Sequence, residues 1–117
     1  MNNLEIYCVT NKKLLFLENT NLKLAAVGKE NFSDKYLKCD NKINIYDKEE
    51  YYSELTFHYW YWKNCLNASR KEWIGFCQKR RFWIKSEEDK KIINTNNLNQ
   101  YLLDKIDSKI NDYESII

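Results

Sequence analysis

Between Tyr51 and Trp83 the chain reads YYSELTFHYWYWKN, then a short polar break, then EWIGFCQKRRFW. All four tryptophans and the single histidine, His58, lie inside that stretch. In its first half, Leu55, Tyr59, Trp62 and Leu66 form one stripe at helical spacing, and Tyr51, Glu54, His58, Tyr61 and Cys65 a neighbouring one. Phe57 and Trp60 occupy the remaining face, and a helix that is apolar all round is predicted to be buried. The second half, Trp73 to Cys77, is short, aromatic and branched, which predicts a strand in the interior of a sheet. Gly75 within it predicts that another backbone or a ligand comes close.

The flanking chain supplies the layers that such a unit needs. Leu4–Thr10 is apolar almost throughout and predicts a strand covered on both faces. Leu14 to Leu17 suits a short helical turn, with a second strand as the alternative, and Leu22–Val27 predicts a strand that stops at Gly28. From Lys29 to Ile45 the sequence is polar, rich in Asn, Asp and Ser, and predicts a long irregular loop. Asp47 with Glu50 three residues on predicts a capping box and a helix start. Asn67–Lys71 reads as a turn, Leu98–Asn111 as an amphipathic helix, and Tyr113–Ile117 as the start of a further strand. Strands alternating with helices predict an α/β fold built on a parallel or mixed sheet.

Composition narrows the function classes. With 117 residues there is room for a single domain. A hydrophobic fraction of 44% and an aromatic fraction of 15% belong to a folding chain, not a disordered one. The net charge of +2 is too small to imply a polyanionic partner, so electrostatic work must come from local clusters. Cys8, Cys39, Cys65 and Cys77 are widely spaced with no CxxC pattern, and are read as reduced, structural thiols. No basic start precedes an apolar run at the amino terminus, and no apolar run is long enough to span a bilayer, so a cytoplasmic location is expected.

In open α/β sheets ligands bind beyond the carboxyl ends of the strands. Two such ends carry chemistry: Thr10, Asn11 and Lys12 after the first strand, and Gln78, Lys79, Arg80 and Arg81 after the WIGFC strand. Adjacent cations repel unless an anion lies between them, and arginine forks match phosphate oxygens, so a diphosphate suits this end. A solvated basic turn is the competing reading. Glu54 and His58, one helical turn apart, could serve as a base or accept a sugar hydroxyl. For His58 a hydrogen bond satisfied within the core is the favoured account. Glu54 among rings needs a partner, which Arg80 or Arg81 would supply. Lys63 and Asn64 end the helix, where a cation complements the dipole. No GxGxxG, Walker loop or DxD pair is present.

In this stretch the chain resembles the bacterial capsular and exopolysaccharide glycosyltransferases catalogued as a domain of unknown function. Their signature runs DNIS-x-KN-xx-YCELT-xx-YW-x-WKN, followed by GLCHYRRYF. Asn44-Ile45, Lys48, Tyr52, Glu54-Leu55-Thr56, Tyr59-Trp60, Trp62-Lys63-Asn64, Gly75, Cys77 and Arg80-Arg81 match in register. The first strand with its TNK resembles the family's VTHK, Ala26-Val27-Gly28 its next strand end, and Ile110–Ile117 its YD-x-I strand. Four sites depart from the pattern: Asn11 stands for His, Gln78-Lys79 for His-Tyr, Tyr46 for Ser and Glu49 for Asn.

The resemblance implies a partial GT-A-like, three-layer fold with a mostly parallel sheet, corresponding to the amino-terminal part of a glycosyltransferase domain. It implies a nucleotide-diphospho-sugar donor and a saccharide acceptor in surface-polysaccharide biosynthesis. Thr10, Asn11 and Lys12 would meet the base or ribose. Gln78, Lys79, Arg80 and Arg81 would take the diphosphate, in place of the metal that a DxD pair holds. Asn44, Lys63 and Asn64 belong to the same donor set, and Glu54 is the catalytic candidate. No cofactor is expected; a divalent metal is kept as the alternative, although no DxD pair is present to hold it. Two alternatives stay open. One is a single-stranded nucleic-acid module stacking bases on Trp60, Trp62, Phe82 and Trp83. The other is a non-catalytic remnant that needs a partner chain to cover its last strand.

Overall fold

The computed structural model describes residues 3–66 and 72–106. The expected turn at 67–71, the distal part of the expected last helix and the expected strand at 113–117 lie outside the described residues. Four strands form one sheet, all parallel, in the order β3-β2-β1-β4. They are β1 (Asn3–Thr10), β2 (Lys23–Ala26), β3 (Tyr36–Lys38) and β4 (Glu72–Gln78). The helices are α1 (Leu15–Glu18), α2 (Glu49–Tyr52), α3 (Leu55–Asn64) and α4 (Leu98–Tyr101). The protein is thus an α/β fold, and its sheet and layers are compatible with part of a GT-A-like architecture.

β1 is the central strand, and its alternation builds two cores. Ile6 and Cys8 face one side, where they join Leu17 of α1, Leu24, Ala26, Tyr36 and Cys77, with Phe82, Trp83 and Leu103 packed alongside. Tyr7 and Val9 face the other, against Phe57, Trp60 and Tyr61 of α3, with Ile74 and Phe76 beside them. Helix and irregular chain on one face, sheet, then helix on the other give three layers. Cys8, Cys39 and Cys77 are buried, Cys65 is exposed, and all four are unpaired.

Several expectations change. The long loop contains β3, a three-residue strand whose Tyr36 pairs with Leu24 and is buried, while Leu37 and Lys38 are exposed. So short an edge element leaves little periodic signal. β4 is an edge strand among the described residues, and Trp73 to Phe76 are only partly buried. The Trp83 indole donates to the Phe76 carbonyl at 3.0 Å, occupying part of that edge. Gly75 makes room for a neighbouring side chain: a Cβ there would meet Ile6 Cγ1 at 3.1 Å.

The helix expected from Asp47 is interrupted. A 3-10 turn (Tyr46–Lys48) leads into α2 with no side-chain cap, so the capping box does not form. Ser53, at φ 47° and ψ −123°, then ends α2 and re-aims the chain into α3. Of the expected stripe, Leu55, Tyr59 and Trp62 form the outer face of α3, with Trp62 58% exposed, and Leu66 lies past the helix end, while Phe57 is fully buried. The last expected helix stops at Tyr101, because Leu102 turns extended and bridges to Ile84. The backbone there bonds to the Trp83–Lys85 segment, through Leu103 N–H to Trp83 O and Lys85 N–H to Tyr101 O.

Candidate functional site at the carboxyl rim of β1 and β4

The chain leaves β1 toward β2 and β3 on one side, and returns on the other side as β4. The gap between β1 and β4 is therefore the topological switch point, where strand ends diverge and leave a crevice. A cleft of about 140 Å³ lies there, lined by Val9, Thr10, Asn11, Val27, Glu49, Ser53, Glu54, Gln78 and Lys79. Three strand ends and the start of α3 meet at it.

Each wall has a local cause. Thr10 is buried at the end of β1, and its hydroxyl donates to Lys12 O at 2.8 Å and accepts from Lys12 N–H at 3.1 Å. That small turn holds Asn11 outward. Lys79, one residue past β4, donates from Nζ to Asn11 Oδ1 at 2.7 Å. A neutral amide is its partner, so the ammonium keeps its charge for an anion. Gln78 donates from Nε2 to Glu54 Oε1 at 2.9 Å, tying β4 to the head of α3. The partner of Glu54 is thus Gln78, and not either arginine.

The third wall is built on Gly28, which follows β2 in the left-handed region at φ 91°. A Cβ there would sit 3.4 Å from Asn11 Cβ and 3.6 Å from Glu49 Oε1, ordinary contact distances, so the backbone conformation and not the space calls for glycine. The Tyr46 hydroxyl donates to Gly28 O and anchors the segment leading into α2. Burial first, then nearby Cys39, Asp40 and Glu49, push the Tyr46 phenol above its ordinary range, so it stays a donor. His58 packs against Phe76 in a tilted arrangement with ring centroids 4.3 Å apart. Burial lowers its pKa below 6.5, against the opposing pull of Glu54, so the imidazole is neutral near pH 7.

Of the residues expected from the sequence, Thr10, Asn11, Glu54, Gln78 and Lys79 come together at the cleft. Lys12, Arg80 and Arg81 are exposed and fall outside its lining. Arg81 is bridged to Gln78 through both backbone groups, which makes a tight turn after β4. Lys63 and Asn64 end α3, ~15 Å along its axis from Glu54 at 1.5 Å per residue. Lys63 lies 4.1 Å over the Trp62 ring. Asn64 donates to Ile43 O at 2.8 Å and Trp60 O at 2.9 Å, fastening the preceding loop. Asn44 bonds within its own turn, through Lys42 O and Tyr46 N–H. Glu49, Ser53 and Gly28 are the site residues that sequence reasoning missed. A lone glycine at a strand end was the signal that could have found them.

Residues 5–117 match the family model of a domain of unknown function, DUF4422, and the chain belongs to that family. None of the curated proteins or solved structures compared with the chain matches it. Among the described residues no helix is long and apolar enough to cross a membrane.

Proposed function

We propose that the chain is the amino-terminal part of a cytoplasmic glycosyltransferase that takes a sugar from a nucleotide-diphosphate donor in surface-polysaccharide biosynthesis. The observation that carries this reading is the cleft at the β1/β4 switch point, with the Lys79 ammonium bonded to the neutral amide of Asn11 and in no ion pair among the described residues. Parallel sheets bind nucleotides at that position, and the ELT-xx-YW-x-WKN and Cys77/Arg80-Arg81 resemblance points to the same chemistry. Lys79 meets the diphosphate, and Arg80 and Arg81, on the adjacent turn, add cationic field at the open side. Thr10 and Asn11 face the nucleoside.

In the transfer, an acceptor hydroxyl oxygen bonds to the anomeric carbon as the bond from that carbon to the diphosphate oxygen breaks. The bonding pair leaves with the diphosphate, where fixed cations stabilise the developing charge. Glu54, at the start of α3, is a carboxylate on this rim able to receive the acceptor proton, and Gln78 holds one of its oxygens in place.

Two features count against the nucleic-acid module. Trp60 is buried and its indole donates to Asn41 O, while the Trp83 indole is committed to Phe76 O. The reading of a non-catalytic remnant that needs a partner chain rests on the expected strand at 113–117, which lies outside the described residues.

Thermal-shift and calorimetric titration with UDP-, GDP- and CMP-sugars, each with and without a chelator, tests the proposal. A donor that raises the melting temperature with chelator present is the expected result. Strict dependence on Mn²⁺ or Mg²⁺ would count against fixed cations, and no response to any donor would remove the assignment.

A further inference from the structure

We infer that Glu49 is a recognition residue: its carboxylate reads a pair of neighbouring hydroxyls on the ligand, opposite the end that Lys79 holds. The inference rests on the nucleotide-sugar reading and names what that reading leaves unassigned, the group that recognises the neutral part of the donor.

Three observations carry it. First, Glu49 lines the cleft beside Gly28, just past the end of β2, while Lys79 enters it from the end of β4. Second, Glu49 is held close to the end of β2. Gly28 takes a left-handed conformation at the end of β2, and the place of its missing Cβ is 3.6 Å from Glu49 Oε1. The Tyr46 hydroxyl grips Gly28 O three residues before Glu49, which fixes α2 against the β2 end. Third, the neighbouring acids are occupied while Glu49 is not. Glu50 pairs with Lys29 at 3.2 Å and Glu54 takes Gln78, whereas no hydrogen bond or ion pair to the Glu49 carboxylate occurs among the described residues. A half-buried carboxylate with open lone pairs accepts two hydroxyl hydrogens in a fork, the geometry that a vicinal diol offers.

Charge and size agree with a two-ended ligand. The cleft presents one cation and two carboxylates, so a bare polyanion would be repelled at the Glu49 end and welcomed at Lys79. About 140 Å³ is below the ~300 Å³ at which sites for whole drug-sized ligands begin, and suits one ring with the phosphates toward the open side. Acidic side chains near the end of the second strand read ribose hydroxyls in dinucleotide folds for the same physical reason. The diol could belong to the ribose or to the transferred sugar, and the two sources are separable.

The test uses the full chain, by calorimetry in chelator. UDP, GDP and CDP are compared with their 2′-deoxy forms, and UDP-glucose with UDP-2-deoxyglucose, on the wild type, Glu49→Gln and Glu49→Ala. Circular dichroism and melting temperature show that each variant folds. Losing a charge-assisted hydroxyl contact costs about tenfold or more in affinity. If the ribose is read, the wild type prefers the ribonucleotide by about that factor, and both variants lose the preference. If the sugar is read, the ribo and deoxy nucleotides bind alike, and the preference appears in the UDP-glucose pair and vanishes in the variants. Unchanged preferences in folded Glu49 variants overturn the inference while leaving nucleotide binding intact. A Glu49 effect seen only when Mn²⁺ or Mg²⁺ replaces chelator also overturns it, by making the residue a metal ligand. No binding of any nucleotide or nucleotide-sugar overturns the underlying assignment and this inference with it.

Discussion

Lys79 Nζ and Asn11 Oδ1 are 2.7 Å apart, although 68 positions separate the two residues, because β1 and β4 are parallel neighbours that end at the same rim. The bond ties together the two strand ends between which the sheet's connectivity reverses. It also decides which of three consecutive cations serves the cleft: Lys79 is half-buried against Asn11, while Arg80 and Arg81 are exposed.

Lys79→Ala should therefore weaken nucleotide-sugar binding by ~10- to 100-fold, the cost of a charge-assisted contact. Arg80→Ala and Arg81→Ala should each cost less than Lys79→Ala. Asn11→Asp should also weaken binding, because it gives Lys79 an internal carboxylate partner. Titration of all four variants with the donor found for the wild type checks the order.

Ser53 holds a backbone conformation, φ 47° and ψ −123°, that matches the first central residue of a type II′ turn, where glycine is preferred. Holding a side chain in such a region costs ~1–3 kcal/mol. Ser53→Gly should raise stability and Ser53→Val lower it, read as urea midpoints at constant m-value. Gly28→Ala should destabilise through the left-handed backbone at φ 91°, since the added Cβ would meet Asn11 and Glu49 only at ordinary contact distances.

The two faces of α3 should respond differently to truncation. Phe57 is fully buried among Tyr7, Trp60, Tyr61 and Phe76, so Phe57→Ala should cost ~3–5 kcal/mol. Trp62 is 58% exposed, and its contacts are Lys63 and the edge of Tyr59. Trp62→Ala should stay within ~0.5 kcal/mol of wild type, the range of ordinary surface substitutions. Denaturant unfolding of the pair decides it, and a large Trp62 effect would mean that this face is covered.

His58 makes stability depend on pH in a defined sense. Burial against Phe76 lowers its folded pKa below the ordinary 6.5, so the unfolded chain binds the proton more readily. The stabilising contribution is present above 6.5 and is lost as pH falls through the depressed folded value. Comparing urea midpoints at several pH values for wild type and His58→Phe isolates it, because the variant should lose only this part of the slope. Glu54→Gln removes a carboxylate that favours the imidazolium, and should lower the His58 pKa further in an NMR titration.

Much of this architecture is legible in the residues. β1 reads as covered on both faces because it is apolar almost throughout, and it proves central. The clustering of Thr10, Asn11, Gln78 and Lys79 at one rim follows from their places just after parallel strands. β3 escapes because three residues cannot establish a period, and Tyr36 alone carries its burial. Glu49 escapes because its position depends on the interrupted helix and on Gly28, neither of which a periodic pattern encodes. Asp47 and Glu50 match a capping box, yet a 3-10 turn takes the helix start.

What the sequence determines by itself is the alternation of strand and helix, a central strand dry on both sides, and the placing of polar and cationic residues at strand ends. These follow from local pattern, since side-chain period and turn chemistry need only near neighbours. Only the tertiary structure decides which face of α3 turns inward and which cation of Lys79, Arg80 and Arg81 meets the cleft. A helix apolar on every side specifies no inner face, so packing against Tyr7 and Phe76 selects Phe57, Trp60 and Tyr61. Cations in a row differ little until a partner from another strand, here Asn11, singles one out.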